Sequence, residues 1–75
     1  MSNSLAEQKL GFTYTITELQ GDELRVSRLQ ELGFIRGEEV FLKSRIIFGE
    51  PLIVQIRGAL IALRLAEADC IRVAQ

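Results

Sequence analysis

The sequence has 75 residues, 48% of them hydrophobic and 25% charged, with a formal net charge of −1. A chain of this length holds one domain at most and buries only about 60% of the surface its unfolded form exposes, so there is little room for both a core and an enclosed active site. Nine basic and ten acidic residues, no histidine and a single cysteine, Cys70, exclude an internal disulfide, Ser-His or Cys-His catalysis and the usual zinc or transition-metal ligand sets.

The absence of a basic excess, with a pI of about 5.3, argues against nucleic acid as a partner. The mean hydropathy of +0.20 is high for a small domain, and exposed apolar side chains are expected; such patches often mark a partner site. The lone cysteine fits a reducing compartment. The first ten residues carry no basic region followed by an apolar core, so they are not read as a signal peptide. The longest apolar run is far below the ~20 residues that cross a bilayer, and direct membrane insertion is not expected.

Residues 1–10 (MSNSLAEQKL) lack strand periodicity and read as a loosely ordered tail or short helix, with the domain proper from 11 to 75. From Phe12 to Leu19 the chain alternates, with Phe12, Tyr14 and Ile16 on one face and threonines on the other, the pattern of a strand. Gln20-Gly21-Asp22 breaks it. Asp22 suits the N-cap of a helix over Glu23 to Leu32, and Glu23 suits its positive end. Leu29 and Leu32 mark the helix's apolar side, extended by Leu24 or Val26. Gly33 ends the helix, and Phe34 is placed to pack back on Leu29 or Gln30.

A turn at Ile35-Arg36-Gly37-Glu38, of the type that needs glycine third, leads to a second strand over Glu39 to Ile47. There Val40 and Leu42 face one way and Phe41, Lys43 and Arg45 the other. Phe48-Gly49-Glu50-Pro51 is a turn. Leu52–Ile56 and Ala59–Arg64 flank Arg57-Gly58. A two-residue hairpin loop there pairs Ile56 with Ala59, Val54 with Ile61 and Leu52 with Leu63, all on one face. Ile53, Gln55, Leu60, Ala62 and Arg64 take the other face. One helical turn over Ala66 to Asp69 precedes a short last strand, Cys70 to Val73, in which Cys70 is read as a small buried hydrophobe. Leu29, Leu32, Val40, Leu42, Val54, Ile61 and Leu63 are assigned to the core. About five short strands with one short helix between the first and second give a mainly β fold, and a small closed barrel is expected because closure removes exposed edges.

The order and spacing of several motifs resemble the FeoA family. Residues 28–40 (RLQELGFIRGEEV) are similar to its helix end, turn and strand. Gly49-Glu50-Pro51-Leu52-Ile53 resembles its G-D-P-I loop. Arg57-Gly58, Ile61-Ala62-Leu63-Arg64, Glu67-Ala68 and Ile71-Arg72-Val73 resemble its C-terminal half. Departures are Arg36 where proline is frequent, Glu50 for aspartate, and Cys70 for an aliphatic residue. The resemblance implies an SH3-like barrel in the cytoplasm. It implies an accessory or regulatory role in bacterial ferrous-iron uptake through FeoB, a membrane protein with a GTPase domain that would recruit the chain to the inner face of the membrane. A similar module occurs at the C-terminus of iron-dependent repressors of the diphtheria-toxin-repressor type. With no DNA-binding helix pair ahead of it, a stand-alone sensor or adaptor is the alternative.

No catalytic residue, cofactor site or metal site is assigned. Glu38-Glu39 and Glu67/Asp69 read as solvated carboxylates. The candidate partner-binding residues are Ile47 and Phe48, where three large apolar residues run from a strand into a turn and alternation can bury only part of them; the alternative is that Phe48 folds back to lid the barrel. Lys43, Arg45 and Glu50 nearby are candidates for orienting a partner. Arg25, Arg28 and Arg36 near the helix offer a second charged surface, with solvation, or pairing to Glu31 and Glu38, the simpler reading. An unpaired strand edge offers a route to a homo-oligomer or a partner strand. An SH3-type groove for proline-rich peptides is disfavoured by one Tyr, four Phe and no Trp.

Overall fold

The computed structural model describes residues 3–75, apart from the side chain of Ile47. A 3-10 turn (Leu5–Glu7) precedes β1 (Thr13–Leu19), α1 (Glu23–Glu31), β2 (Glu39–Ile47), β3 (Glu50–Ile56), β4 (Ala59–Leu63), α2 (Leu65–Ala68) and β5 (Ile71–Ala74). The strands form one antiparallel sheet in the order β4-β3-β2-β1-β5. One face of this sheet carries the core: Tyr14 and Ile16 of β1, Val40 and Leu42 of β2, Leu52, Val54 and Ile56 of β3, Leu63 of β4, and Ile71 and Val73 of β5. Leu29 and Phe34 pack into it from the helix.

The expected closed ladder is not what forms, because β4 and β5 lie at opposite ends of the sheet. α2 occupies the chain between them, with Ala68 buried and Leu65 packed against the core. Side-chain packing, not strand pairing, fills that side. The outer edge of β5 is covered by the N-terminal segment: the Val73 amide donates to Asn3 O at 2.8 Å, and Ser4 bridges to Arg72.

α1 begins and ends where its residue types require. Asp22 Oδ1 accepts from the Arg25 amide at 2.9 Å, satisfying one of the helix's free first-turn donors. At the other end Gly33 takes φ 107°. The Phe34 amide donates to Leu29 O and the Gly33 amide to Gln30 O, each at 3.0 Å, the paired bonds of a Schellman ending. This reversal gives the inward position to Phe34, and Leu32 is left 52% exposed. Its assignment to the core is therefore corrected. Ile61 is half-buried against the core, and the other assigned core residues are fully buried. Phe12 lies just before β1 and is exposed rather than sharing the inner face of Tyr14 and Ile16.

The β3–β4 hairpin has the expected register, with Leu52 opposite Leu63, Val54 opposite Ile61 and Ile56 opposite Ala59. Arg57 and Gly58 both take positive φ, 51° and 81°, as a type I′ turn demands. The Ile35–Glu38 turn closes with the Glu38 amide donating to Ile35 O at 3.1 Å. Cys70 is buried, its thiol donating to Ala66 O at 3.4 Å.

Two features depart from simple alternation. β2 carries a bulge at Lys43: Leu42 stands opposite Val54, but Ser44 is opposite Ile53 and Arg45 opposite Leu52. The extra residue reverses the facing of everything after it. Arg45 thus leaves the outer face assigned to it and shares the inner side of buried Leu52. Its Nη2 donates to Ala6 O at 2.8 Å and Gln8 O at 3.2 Å.

The second departure is the N-terminal segment, read as a loose tail or short helix: a 3-10 turn forms at Leu5–Glu7, and it is packed rather than loose. Leu5 is fully buried in the core, the Ser4 hydroxyl accepts from the Ala6 amide, and the Tyr14 hydroxyl donates to Lys9 O at 2.8 Å. Leu5 supplies apolar area that a domain this small needs, and Arg45 and Tyr14 satisfy the carbonyls that come with it.

Leu5→Ala is expected to lower stability by about 2–5 kcal/mol, as for truncation of a buried leucine, whereas Leu32→Ala stays within about 0.5 kcal/mol. Equilibrium urea unfolding compares the two, and equal losses would contradict this placement. Arg45→Ala is expected to cost about 1–2 kcal/mol through carbonyls left without their charged donor. Lys43→Ala, on the exposed bulge residue, should be neutral in the same assay.

Candidate partner-binding surface

The β2–β3 hairpin collects all five candidate residues, but the fold puts them to different uses. Ile47 pairs with Glu50 across the hairpin, which makes Phe48-Gly49 a two-residue loop. Both loop residues take positive φ, 56° at Phe48 and 82° at Gly49. Phe48 is 98% exposed, so it does not fold back over the core. The left-handed region is sterically costly for any residue with a Cβ and is unusual for a bulky one. Its ring is as exposed to water as in the unfolded chain, so folding gains no apolar burial from it. Phe48 therefore costs the fold its backbone strain and contributes no packing in exchange. Such strain concentrates at functional sites.

The side chain of Ile47 lies outside the described residues. Lys43 is exposed on the bulge. Arg45 and Glu50 are turned to internal work. Arg45 holds the N-terminal segment as described, and Glu50 Oε1 accepts from the Leu65 amide at 2.8 Å. That bond caps the start of α2 and ties the root of the hairpin to it. Of the three charged candidates, Arg45 and Glu50 are committed to hydrogen bonds within the fold, and Lys43 has none among the described residues.

The bulge also exposes a residue that alternation from Val40 would not single out. Continuing the register from Arg45–Leu52 to Ile47–Glu50 sets Ile46 opposite Pro51, and Ile46 is 55% exposed. Further along the same outer side, Phe41 stands opposite Gln55, and Gln55 opposite Leu60. Leu60 is exposed and Phe41 and Ile53 are half-buried. The outer face of β2, β3 and β4 is thus largely apolar and leads toward the hairpin tip. The sequence hint was only that Ile46, Ile47 and Phe48 cannot all face inward; which of them turns out is set by the bulge.

Among the described residues Arg25, Arg28 and Arg36 form no ion pair with Glu31 or Glu38, in keeping with their solvated reading. Glu38 Oε1 instead meets Arg57 Nε at 3.5 Å, joining the turn before β2 to the β3–β4 loop. Among the described residues no group of three His, Cys, Asp or Glu side chains is placed to hold a metal ion, and no helix is long and apolar enough to cross a membrane. What this surface offers is an apolar contact with a projecting aromatic at its end.

Residues 3–75 match the family model for the FeoA domain. Among solved structures, Stenotrophomonas maltophilia FeoA complexed with zinc is 35% identical over 95% of this chain and 88% of its own, with a TM-score of 0.84; it is described as a prokaryotic SH3 domain protein and a candidate activating factor of bacterial ferrous iron transport. A FeoA-like protein from Clostridium acetobutylicum shares the fold with a TM-score of 0.88 at 22% identity, over 99% of this chain and 88% of its own. A manganese-dependent transcriptional repressor does so over 96% of this chain but 40% of its own, with a TM-score of 0.86 at 20% identity. No curated protein matches. A five-stranded antiparallel sheet with a helix between its first two strands, matched over nearly its whole length, makes this chain a member of the FeoA domain family, with that family's SH3-like fold.

Proposed function

We propose that this chain is a cytoplasmic accessory module of bacterial ferrous-iron uptake that acts by binding FeoB, and that it docks through the tip of the β2–β3 hairpin. Family membership supports the transport role. The single observation that carries the docking site is Phe48, wholly exposed in a left-handed conformation. Ring burial against a partner would gain the apolar burial that folding does not and supply the aromatic anchor that interfaces favour. Ile46 and the apolar outer face extend the contact, with Lys43 at its side setting orientation and encounter rate. Arg45 and Glu50 contribute by holding the hairpin and not by touching the partner.

Phe48→Asp is the direct test. Aspartate tolerates the left-handed region better than phenylalanine, so the variant should match or slightly exceed the wild type in thermal stability. Its affinity for detergent-solubilised FeoB should fall at least about tenfold, the scale of an aromatic hot spot, with loss of any effect of the chain on GTP hydrolysis. A folded variant that binds FeoB like the wild type would remove the hairpin tip from the interface.

A further inference from the structure

A second surface lies away from the strands, where an open cleft of about 400 Å³ separates α1 from α2. Asp22, Leu24, Arg25 and Arg28 line it on the α1 side, and Arg64 and Glu67 on the other. Its two carboxylates are engaged with the backbone. Asp22 Oδ1 accepts from the Arg25 amide and Glu67 Oε1 from the Arg64 amide, each at 2.9 Å. Among the described residues the guanidinium groups of Arg25, Arg28 and Arg64 form no ion pair. The ion pair formed among the described residues, Arg57–Glu38, is elsewhere, so three arginines face one cleft without a carboxylate partner in a chain whose net charge is −1. Leu24, 62% exposed, adds an apolar contact at the same place.

We propose that this cleft binds an acidic segment of a protein partner. The segment's carboxylates would be taken by Arg25, Arg28 and Arg64, and an apolar side chain by Leu24. Guanidinium groups hold carboxylates through paired, charge-assisted hydrogen bonds. An extended segment can present its carboxylates to the three arginines one at a time and avoid Asp22 and Glu67. A compact phosphate fits less well. The first-turn amide of Arg25, the kind of donor that cradles phosphate at a helix N-terminus, is already bonded to Asp22, and both carboxylates would repel a concentrated dianion. The proposal is independent of the FeoB reading, because it concerns a different surface and is tested without FeoB.

The test is an amide chemical-shift titration of the full chain with a synthetic peptide of alternating Glu and Leu. Shifts are expected to concentrate in residues 22–28 and 64–67. They should vanish in about 1 M salt, where the screening length falls to ~3 Å. Affinity should drop about tenfold or more in the doubly reversed variant Arg28→Glu/Arg64→Glu, a loss on the scale of two removed charge contacts. Arg36→Glu, an exposed arginine outside the cleft, should bind as the wild type does. The milder Arg28→Gln/Arg64→Gln pair, with its dispersed spectrum checked first, guards against a folding effect. No shift in the cleft residues, or shifts that survive the substitutions, would overturn the proposal. So would tighter binding of inorganic pyrophosphate at the same residues, or binding only to phosphatidylglycerol vesicles.

Discussion

The bulge at Lys43 is the constraint on which the arrangement of the β2–β3 hairpin depends. By inserting one residue into β2 it turns Arg45 from the outer face to the inner one. There its guanidinium bonds Ala6 O and Gln8 O. Those bonds seat the segment that brings Leu5 into the core and Asn3 and Ser4 against the edge of β5. The same shift turns Ile46 out to solvent. A single backbone irregularity therefore helps complete the core at one side of the sheet and lays an apolar surface on the other. Bulges commonly serve to re-aim side chains in this way.

The hairpin beyond the bulge is held at its root and bare at its tip. Glu50 anchors the root to the first amide of α2, and the Ile47–Glu50 pair closes the ladder. Phe48 then projects from a loop whose geometry suits glycine or asparagine better than an aromatic residue. Preorganisation of this kind reduces the ordering cost of binding, because the ring need not be recruited from a mobile loop. Arg45 and Glu50, which look available in a linear reading, are bonded within the fold, so the exposed surface of the tip is chiefly apolar. The arginine cleft between the helices has the opposite character. A small domain thus presents two surfaces of contrasting chemistry around one shared core.

Much of the fold was legible wherever local chemistry and hydrophobic pattern agree. The β3–β4 register follows from Arg57-Gly58 and the aliphatics on either side. The limits of α1 follow from Asp22 and Gly33. Phe48 stood out because three large apolar residues in a row cannot all face inward. Other features depend on partners remote in sequence. Leu5 is isolated among polar residues, so periodicity has nothing to register, and the strand it lies beside is β5, at the other end of the chain. The bulge at Lys43 has no residue-type signature, and its effect on Arg45 shows only once Leu52 is seen opposite it. Glu50 finds its acceptor role fifteen residues on, at Leu65. Leu32 was misplaced because the helix-ending reversal, not the helical period, decides which side chain enters the core. Closure of the sheet was inferred from the number of short strands and the need to remove exposed edges, neither of which tells of α2 in the chain between β4 and β5.

The claim that the hairpin tip is the docking surface is most directly tested by hydrogen–deuterium exchange on the chain alone and bound to FeoB. The account predicts that binding slows exchange in the peptide spanning residues 46–50 and in β3 and β4, whose outer faces extend the contact. Unchanged exchange across that hairpin, with protection confined to other parts of the chain, would contradict it.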